Sequence, residues 1–164
     1  MILDSFFYYV YGFLKKRYEL HRAKLYKKQY NFPDSVNLRK VIIYRGSNVL
    51  IGNGTYINSG YIQTGPNSKV VIGKWCAIGY NVNIITISHD IDKPTGNEKT
   101  RPRPEADIII GDNVWIGTNV FINKGVTIGD NAIIGANSVV VKDIPQNAIY
   151  GGVPAKLIRF KNKL

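Results

Sequence analysis

An aliphatic residue followed by glycine or a small polar residue returns every six positions through much of the chain. Ile110-Gly111, Ile116-Gly117, Ile122-Asn123, Ile128-Gly129 and Ile134-Gly135 stand in one register, which Val140 continues. Ile72-Gly73, Ile78-Gly79 and Ile84 keep the same period upstream, while Ile51-Gly52 and Ile57-Asn58 begin another series, three residues out of phase. A short fixed period marks a solenoid, in which each repeat buries its apolar residues only by stacking on its neighbours. Six is a multiple of two but not of 3.6, so each repeat predicts a short strand and a turn rather than helix. The aliphatic residue points inward, and the Gly or Asn after it is expected to supply a turn conformation that larger side chains resist. Val114, Val120, Val126, Ala132 and Ser138 form a second column of small or branched residues suited to a tight interior.

With these columns the sequence resembles the left-handed parallel β-helix acyltransferases, over roughly residues 46–160. In that family three hexapeptides make one triangular coil. The left hand is implied by the resemblance alone, because general crossover rules favour the right. Lys142-Asp143-Ile144-Pro145 and Gly151-Gly152-Val153-Pro154-Ala155-Lys156 look like the end of the maltose, galactoside and nodulation-factor O-acetyltransferase branch, where the chain leaves the solenoid and turns back along it. In style the chain is similar to acetyltransferases attached to capsule and O-antigen gene sets. The expected fold is therefore an all-β solenoid in three parts. These are a basic amphipathic helix and lead-in over 1–45, a left-handed β-helix over 46–142, and a C-terminal tail over 143–164. The resemblance further implies a homotrimer with active sites between neighbouring subunits, as three flat walls can pack around an axis.

The period is interrupted between Ile84 and Ile110 by an insertion of about 88–107, charged and holding Pro94, Pro102 and Pro104. A long loop breaking a regular solenoid points to binding or catalysis. His89 stands at its start. Acyl transfer from a thioester to a hydroxyl needs a group that takes the acceptor's proton as the bond forms, and neutral imidazole suits that task near neutrality. Ser88-His89-Asp90 also falls where the resembling family's loop begins with its catalytic histidine, so His89 is the expected general base. Asp90 either orients the imidazole ring or stays on the surface. The other histidine, His21, lies among basic residues and reads as a surface group. Two histidines do not make the three-histidine zinc site of the carbonic-anhydrase-like relatives on this fold, so no metal is expected.

Acetyl-CoA as co-substrate is implied by the resemblance, residue by residue. Trp115 matches the tryptophan lying along the cofactor arm, and Thr118 and Ala136 match positions whose backbone amides contact that arm. Lys142 and Arg159 match basic residues near the adenosine phosphates, where a cation has a plain physical task. Lys156 is a weaker candidate of the same kind. Asn83 is either an acceptor-site residue or a turn residue. The family's acceptor-binding asparagine has no counterpart one coil earlier, where Ile62 to Lys69 is irregular.

Charge divides the chain further. Of the formal net charge of +11, residues 1–45 carry +7, residues 46–142 carry +1 and the tail +3. A basic end can meet nucleic acid, anionic lipid or a phosphorylated small molecule. No zinc finger or aromatic RNA-binding signature accompanies it, so nucleic acid is not an expected partner. Phe6, Tyr9, Val10, Phe13, Leu14, Arg17 and Leu20 recur at helical spacing, and Lys15 to Lys28 supply a basic cluster behind them. This fits peripheral contact of residues 1–30 with an anionic membrane, or docking of the stripe on the protein's own body or a sister subunit. The run from Phe6 to Leu14 is too short to span a bilayer. Cys76, the single cysteine, reads as buried filler among Trp75, Ala77 and Ile78, and one cysteine fits a reducing, cytoplasmic compartment. The function so reached is O-acetyl transfer to a sugar hydroxyl of a polysaccharide or its lipid-linked precursor. N-acetyl transfer to a nucleotide-linked amino sugar stands as the alternative, and a non-enzymatic scaffold as a third class.

Overall fold

The computed structural model describes residues 2–44, 48–93 and 102–162, with side chains from Ser5 onward. After helix α1 (Ile2–Gln29) come β1 (Asn37–Tyr44), β2 (Val49–Ile51), β3 (Tyr56–Gln63) and β4 (Val70–Ile72). The next coil is β5 (Ala77–Ile78), β6 (Val82–Ile85) and β7 (Ile108–Ile110), and the one after is β8 (Trp115–Ile116), β9 (Phe121–Ile122) and β10 (Thr127–Ile128). Then follow β11 (Ile133–Ile134), β12 (Val139–Val140), β13 (Ala148–Gly151) and β14 (Lys156–Phe160).

Parallel pairing sorts these strands into three faces. The first joins the opening residues of β1 and β3 to β5, β8, β11 and β13. The second joins the later residues of β1 and β3 to β6, β9 and β12. The third is β2, β4, β7 and β10, extended by a bridge from Ile128 to Ile144. The period of six thus becomes one face per repeat. Ile57, Ile78, Ile116 and Ile134 fill the core behind the first face, and Ile62, Ile84, Ile122 and Val140 behind the second. Ile72, Ile110, Ile128 and Ile144 do so behind the third, and all twelve are buried. Each fully buried isoleucine contributes about 1.5–3 kcal/mol relative to exposure, so the columns are the principal source of stability.

The corners correct one expectation. Left-handed backbone is carried not by the residue after each inward isoleucine but by an asparagine further on: Asn81, Asn113, Asn119, Asn131, Asn137 and Asn147 have φ of 53–59°. Asparagine tolerates this region because its short amide can bond locally. At one corner the amides also form a ladder, with Asn81 Nδ2 donating to Asn119 Oδ1 at 2.8 Å and Asn119 Nδ2 to Asn137 Oδ1 at 3.1 Å. The glycines serve close approach between coils instead. A Cβ on Gly117 would lie 2.7 Å from the backbone nitrogen of Ala136.

Cys76 is fully buried in a corner column with Thr55, Val114, Ala132 and Ala148, and its thiol donates to the Gly111 carbonyl at 3.1 Å. Burial pushes that thiol's pKa up, as befits filler rather than a nucleophile. Trp75 is not part of a wall around it. It sits at φ 58°, 66% exposed, with its ring over Gly54.

The solenoid begins earlier than the repeat shows, because β1 already pairs with β3 along its length. Helix α1 forms as expected, yet the predicted stripe does not dock it. Ala23, Tyr26 and Tyr30 pack on the core, and the Tyr26 hydroxyl accepts from the Ile43 amide at 3.3 Å. Phe6, Tyr9, Phe13, Leu14 and Leu20 of the stripe are exposed. Among the described residues no helix is long and apolar enough to cross a membrane. At the other end β13 continues the first face and β14 turns back antiparallel on it.

Candidate active site

The insertion leaves the solenoid as a narrow ribbon. Its middle, residues 94–101 with the expected Pro94, lies outside the described residues. Its two legs pair: Ile87 bridges Glu105, the Ser88 amide donates to the Pro104 carbonyl at 3.3 Å, and the Asp90 amide to the Pro102 carbonyl at 3.2 Å. His89 stands between these two rungs with its side chain exposed. The backbone on either side is therefore fixed while the imidazole remains accessible, the arrangement a general base requires.

Below the ribbon lies the corner between the second and third faces. Lys124, just beyond β9, is half-buried there and donates from Nζ to the Ser88 hydroxyl. Lys142 occupies the same corner one coil further on and is exposed. An Asp90 carboxylate oxygen accepts the Asp92 amide at 3.0 Å, so Asp90 shapes the turn that follows His89. Lys124 and Ser88 were not selected from the sequence, because a turn lysine in a repeat reads as solvated. Its equivalence to Lys142 in the repeat is the signal that could have found it.

The ribbon's base is held by a polar cluster. Glu105 accepts from the Ser68 hydroxyl at 2.7 Å, the Asn67 side-chain amide at 2.8 Å and the Asn67 backbone amide at 3.1 Å. Ser68 and Thr86, both buried, bond to each other at 2.7 Å, and the Gly65 amide donates to both hydroxyls. This is what the irregular stretch after Ile62 does: it supplies the socket in which the returning leg of the insertion is seated. The hydrogen bonds, that of Ser68 foremost, hold the Glu105 carboxyl below its usual 4.5, partly opposed by desolvation. A carboxyl with a lowered folded pKa contributes stability above its unfolded value that is lost as pH falls through the folded one. In Glu105→Gln, stability at neutral pH is expected to fall. Acid unfolding below pH 4.5 should also be less steep than in the wild type. Thermal midpoints measured across that range check both, and parallel curves would remove Glu105 from the account.

The remaining candidates lie across the second face. Trp115 points outward from the first face, 57% exposed, in register with Ala77 and Ile133. Thr118 and Ala136 are exposed on the corner between the first and second faces, one coil apart. Arg159, exposed on β14 opposite Ile149, donates to the Phe160 carbonyl at 3.0 Å. Asn83 points outward on the second face between Tyr61 and Phe121, its amide donating to the Asn81 carbonyl at 3.3 Å. Thus Trp115, Thr118 and Ala136 gather at one edge of the second face, and His89, Lys124 and Lys142 at the other. One protomer does not bring the two sets together. His21 is an exposed helix residue, and among the described residues no three His, Cys, Asp or Glu side chains converge as a metal site.

The profile of the family described as "Bacterial transferase hexapeptide (six repeats)" matches residues 107–142. The galactoside O-acetyltransferase of Escherichia coli K12 is 42% identical over 114 residues, which cover 70% of this chain and 55% of that protein. The polysialic acid O-acetyltransferase of Escherichia coli O1:K1 is 39% identical over 119 residues, covering 73% of this chain and 38% of that one. The chain thus spans about half the length of the curated relatives it matches, or less. Among solved structures, a hexapeptide-repeat acetyltransferase of Vibrio cholerae superposes with a TM-score of 0.78 at 31% identity, covering 88% of this chain and 82% of that one. The same protein has been solved complexed with acetyl-CoA. With that likeness the hand of the solenoid is left.

Proposed function

Since the chain belongs to the hexapeptide-repeat acetyltransferases, we propose that it transfers the acetyl group of acetyl-CoA to a sugar hydroxyl, with His89 as general base. The observation that carries this reading is the seating of His89 between two backbone rungs at the mouth of the one long insertion, its ring left accessible. His89 takes the acceptor's hydroxyl proton as that oxygen attacks the thioester carbonyl. The tetrahedral intermediate collapses with cleavage of the carbon–sulfur bond, and the imidazolium returns the proton to the departing thiolate. No covalent enzyme intermediate is needed, because the thioester is already activated. Asp90 positions His89 through the turn it caps, and Asn83 meets the acceptor in this reading.

Acetyl-CoA takes Trp115 along its arm, the amides of Thr118 and Ala136 beside it, and Lys142 and Arg159 near its phosphates. The two residue sets on opposite edges of the second face are joined by a second copy. In a homotrimer the His89 edge of one subunit faces the Trp115 edge of the next. The polymer acceptor of one relative and the galactoside acceptor of another support a glycan as substrate. A glycan precursor still carried on lipid fits a membrane contact through residues 1–30.

The test is release of free CoA thiol from acetyl-CoA with a panel of sugars, amino sugars and glycan extracts. Release with hydroxyl acceptors supports the reading, and release only with nucleotide-linked amino sugars would replace it by N-transfer. Trp115→Ala is expected to raise the KM for acetyl-CoA about tenfold, the equivalent of about 1.4 kcal/mol of lost contact with the cofactor arm, with the acceptor KM unchanged. Equal acetyl-CoA KM values in the two proteins would remove Trp115 from the cofactor site.

A further inference from the structure

The two halves of α1 differ along its axis rather than around it. From Ser5 to Leu14 only Ser5 and Gly12 are neither aromatic nor aliphatic. Phe6, Phe7, Tyr8, Tyr9, Tyr11 and Phe13 encircle this half, and none is covered by the rest of the protein: Tyr8 is 81% and Tyr9 74% exposed. The half that follows holds all seven of the helix's Lys and Arg residues, from Lys15 to Lys28. That half is the one anchored to the solenoid, through Ala23 and Tyr26, with Tyr30 just past its end. At the junction, cations lie over rings one turn back: Lys15 over Tyr11 and Arg17 over Phe13, both 5.7 Å from the centroid.

We propose that Phe6 to Leu14 enters one leaflet of an anionic bilayer obliquely or end-on, with the basic half of α1 held at the phosphate headgroups. A helix lying flat keeps a polar face in water, and this half has none to keep. Nine residues at 1.5 Å each span about 13 Å, close to half of the roughly 30 Å hydrocarbon core. They reach into one leaflet without crossing the bilayer. A second copy is the other occupant that apolar rings could take. Each helix carries seven cations against Asp4 and Glu19, so self-pairing sets like charges together, whereas anionic lipid is complementary to them. This rests on the membrane contact proposed above but not on acetyl transfer, since α1 holds none of the residues assigned to catalysis. Its failure would leave the enzymatic reading standing.

The full chain is mixed with phosphatidylcholine vesicles, with and without phosphatidylglycerol, and bound protein is measured by flotation. Binding is expected only with the anionic lipid. Lys15→Ala, Lys16→Ala and Arg17→Ala together should weaken it about 100-fold, at about fivefold per basic residue. An environment-sensitive dye on Tyr8→Cys should report a deeper position than on Tyr18→Cys, with buried Cys76 left unlabelled. No binding to anionic vesicles, or binding kept after Phe6→Ser and Tyr9→Ser, would overturn the proposal. Equal shallow depths would mean that the helix lies flat, and oligomers dissolved by the same serine substitutions would mean that a second copy is the occupant. Either result overturns end-on insertion.

Discussion

His89→Ala is expected to lower kcat by about 10² to 10⁴-fold, the usual contribution of a positioned general base, and to leave acetyl-CoA binding unchanged. The separation of the two effects follows from the geometry. His89 stands on the ribbon at one edge of the second face, while Trp115, Thr118 and Ala136, proposed to carry the cofactor arm, stand at the other. In the proposed trimer the imidazole therefore meets the reacting groups at the end of the cofactor held by the next subunit and not the arm that anchors it. The fold should also be indifferent to the change, because the side chain is exposed and the ribbon is held by backbone rungs and by Glu105 in its socket. Initial rates of thiol release with saturating acetyl-CoA, beside calorimetric binding of acetyl-CoA, measure the two quantities separately. A variant with unchanged kcat would take the proton-transfer role from His89. A variant that loses cofactor binding as well would show that the imidazole holds acetyl-CoA. Lys124 gives a second reading of the same site. It donates to Ser88 at the root of the ribbon, so its removal should act through the placing of the ribbon.

The period of six made the solenoid legible because burial enforces it. Each inward isoleucine must meet its equivalents in the coils on either side, so Ile110 to Ile134 cannot drift without exposing the core. Legibility failed where that constraint is met by other chemistry. β1 belongs to the solenoid, but it lacks the aliphatic-glycine step, and its end of the core is covered by Ala23 and Tyr26 of α1 and by Tyr30 just beyond it. The helix period was visible in the Phe6–Leu20 stripe, yet spacing alone does not tell an apolar side that docks from one left bare. The Ile62–Lys69 stretch looked irregular because its work is polar: Ser68 and Thr86 are buried as a hydrogen-bonded pair that receives Glu105 from 37 residues further on. Such a long-range partner leaves no periodic trace. For the site, the insertion and the scarcity of histidine pointed to His89. Lys124 escaped because its contact depends on where the ribbon leaves the coil.

The same long strand makes Gly60 sensitive to substitution. β3 runs unbroken from the first face to the second, reaching Ile62 five residues after Ile57 where the regular coils take six. The chain makes that shortened corner at Gly60, with φ of 150°, a value that side chains rarely adopt. A Cβ there would also lie 1.9 Å from the Val82 carbonyl oxygen, which is backbone of the next coil and has no side-chain freedom to yield. Gly60→Ala therefore combines backbone strain with overpacking, each costing about 1–3 kcal/mol, and a loss of about 3 kcal/mol or more is expected. Gly12→Ala supplies the contrast. Gly12 is in the exposed half of α1, and a Cβ would meet nothing within 4 Å. There the methyl group restricts the unfolded chain and favours helix, a gain of about 0.5–1 kcal/mol. That gain is local to α1 and is read as helix content by circular dichroism, whereas the loss at Gly60 is read as a lower thermal midpoint of the solenoid. Opposite signs for one chemical change would show that the corner geometry, not the methyl group itself, sets the cost. A Gly60→Ala protein as stable as the wild type would mean that β3 can make its corner another way.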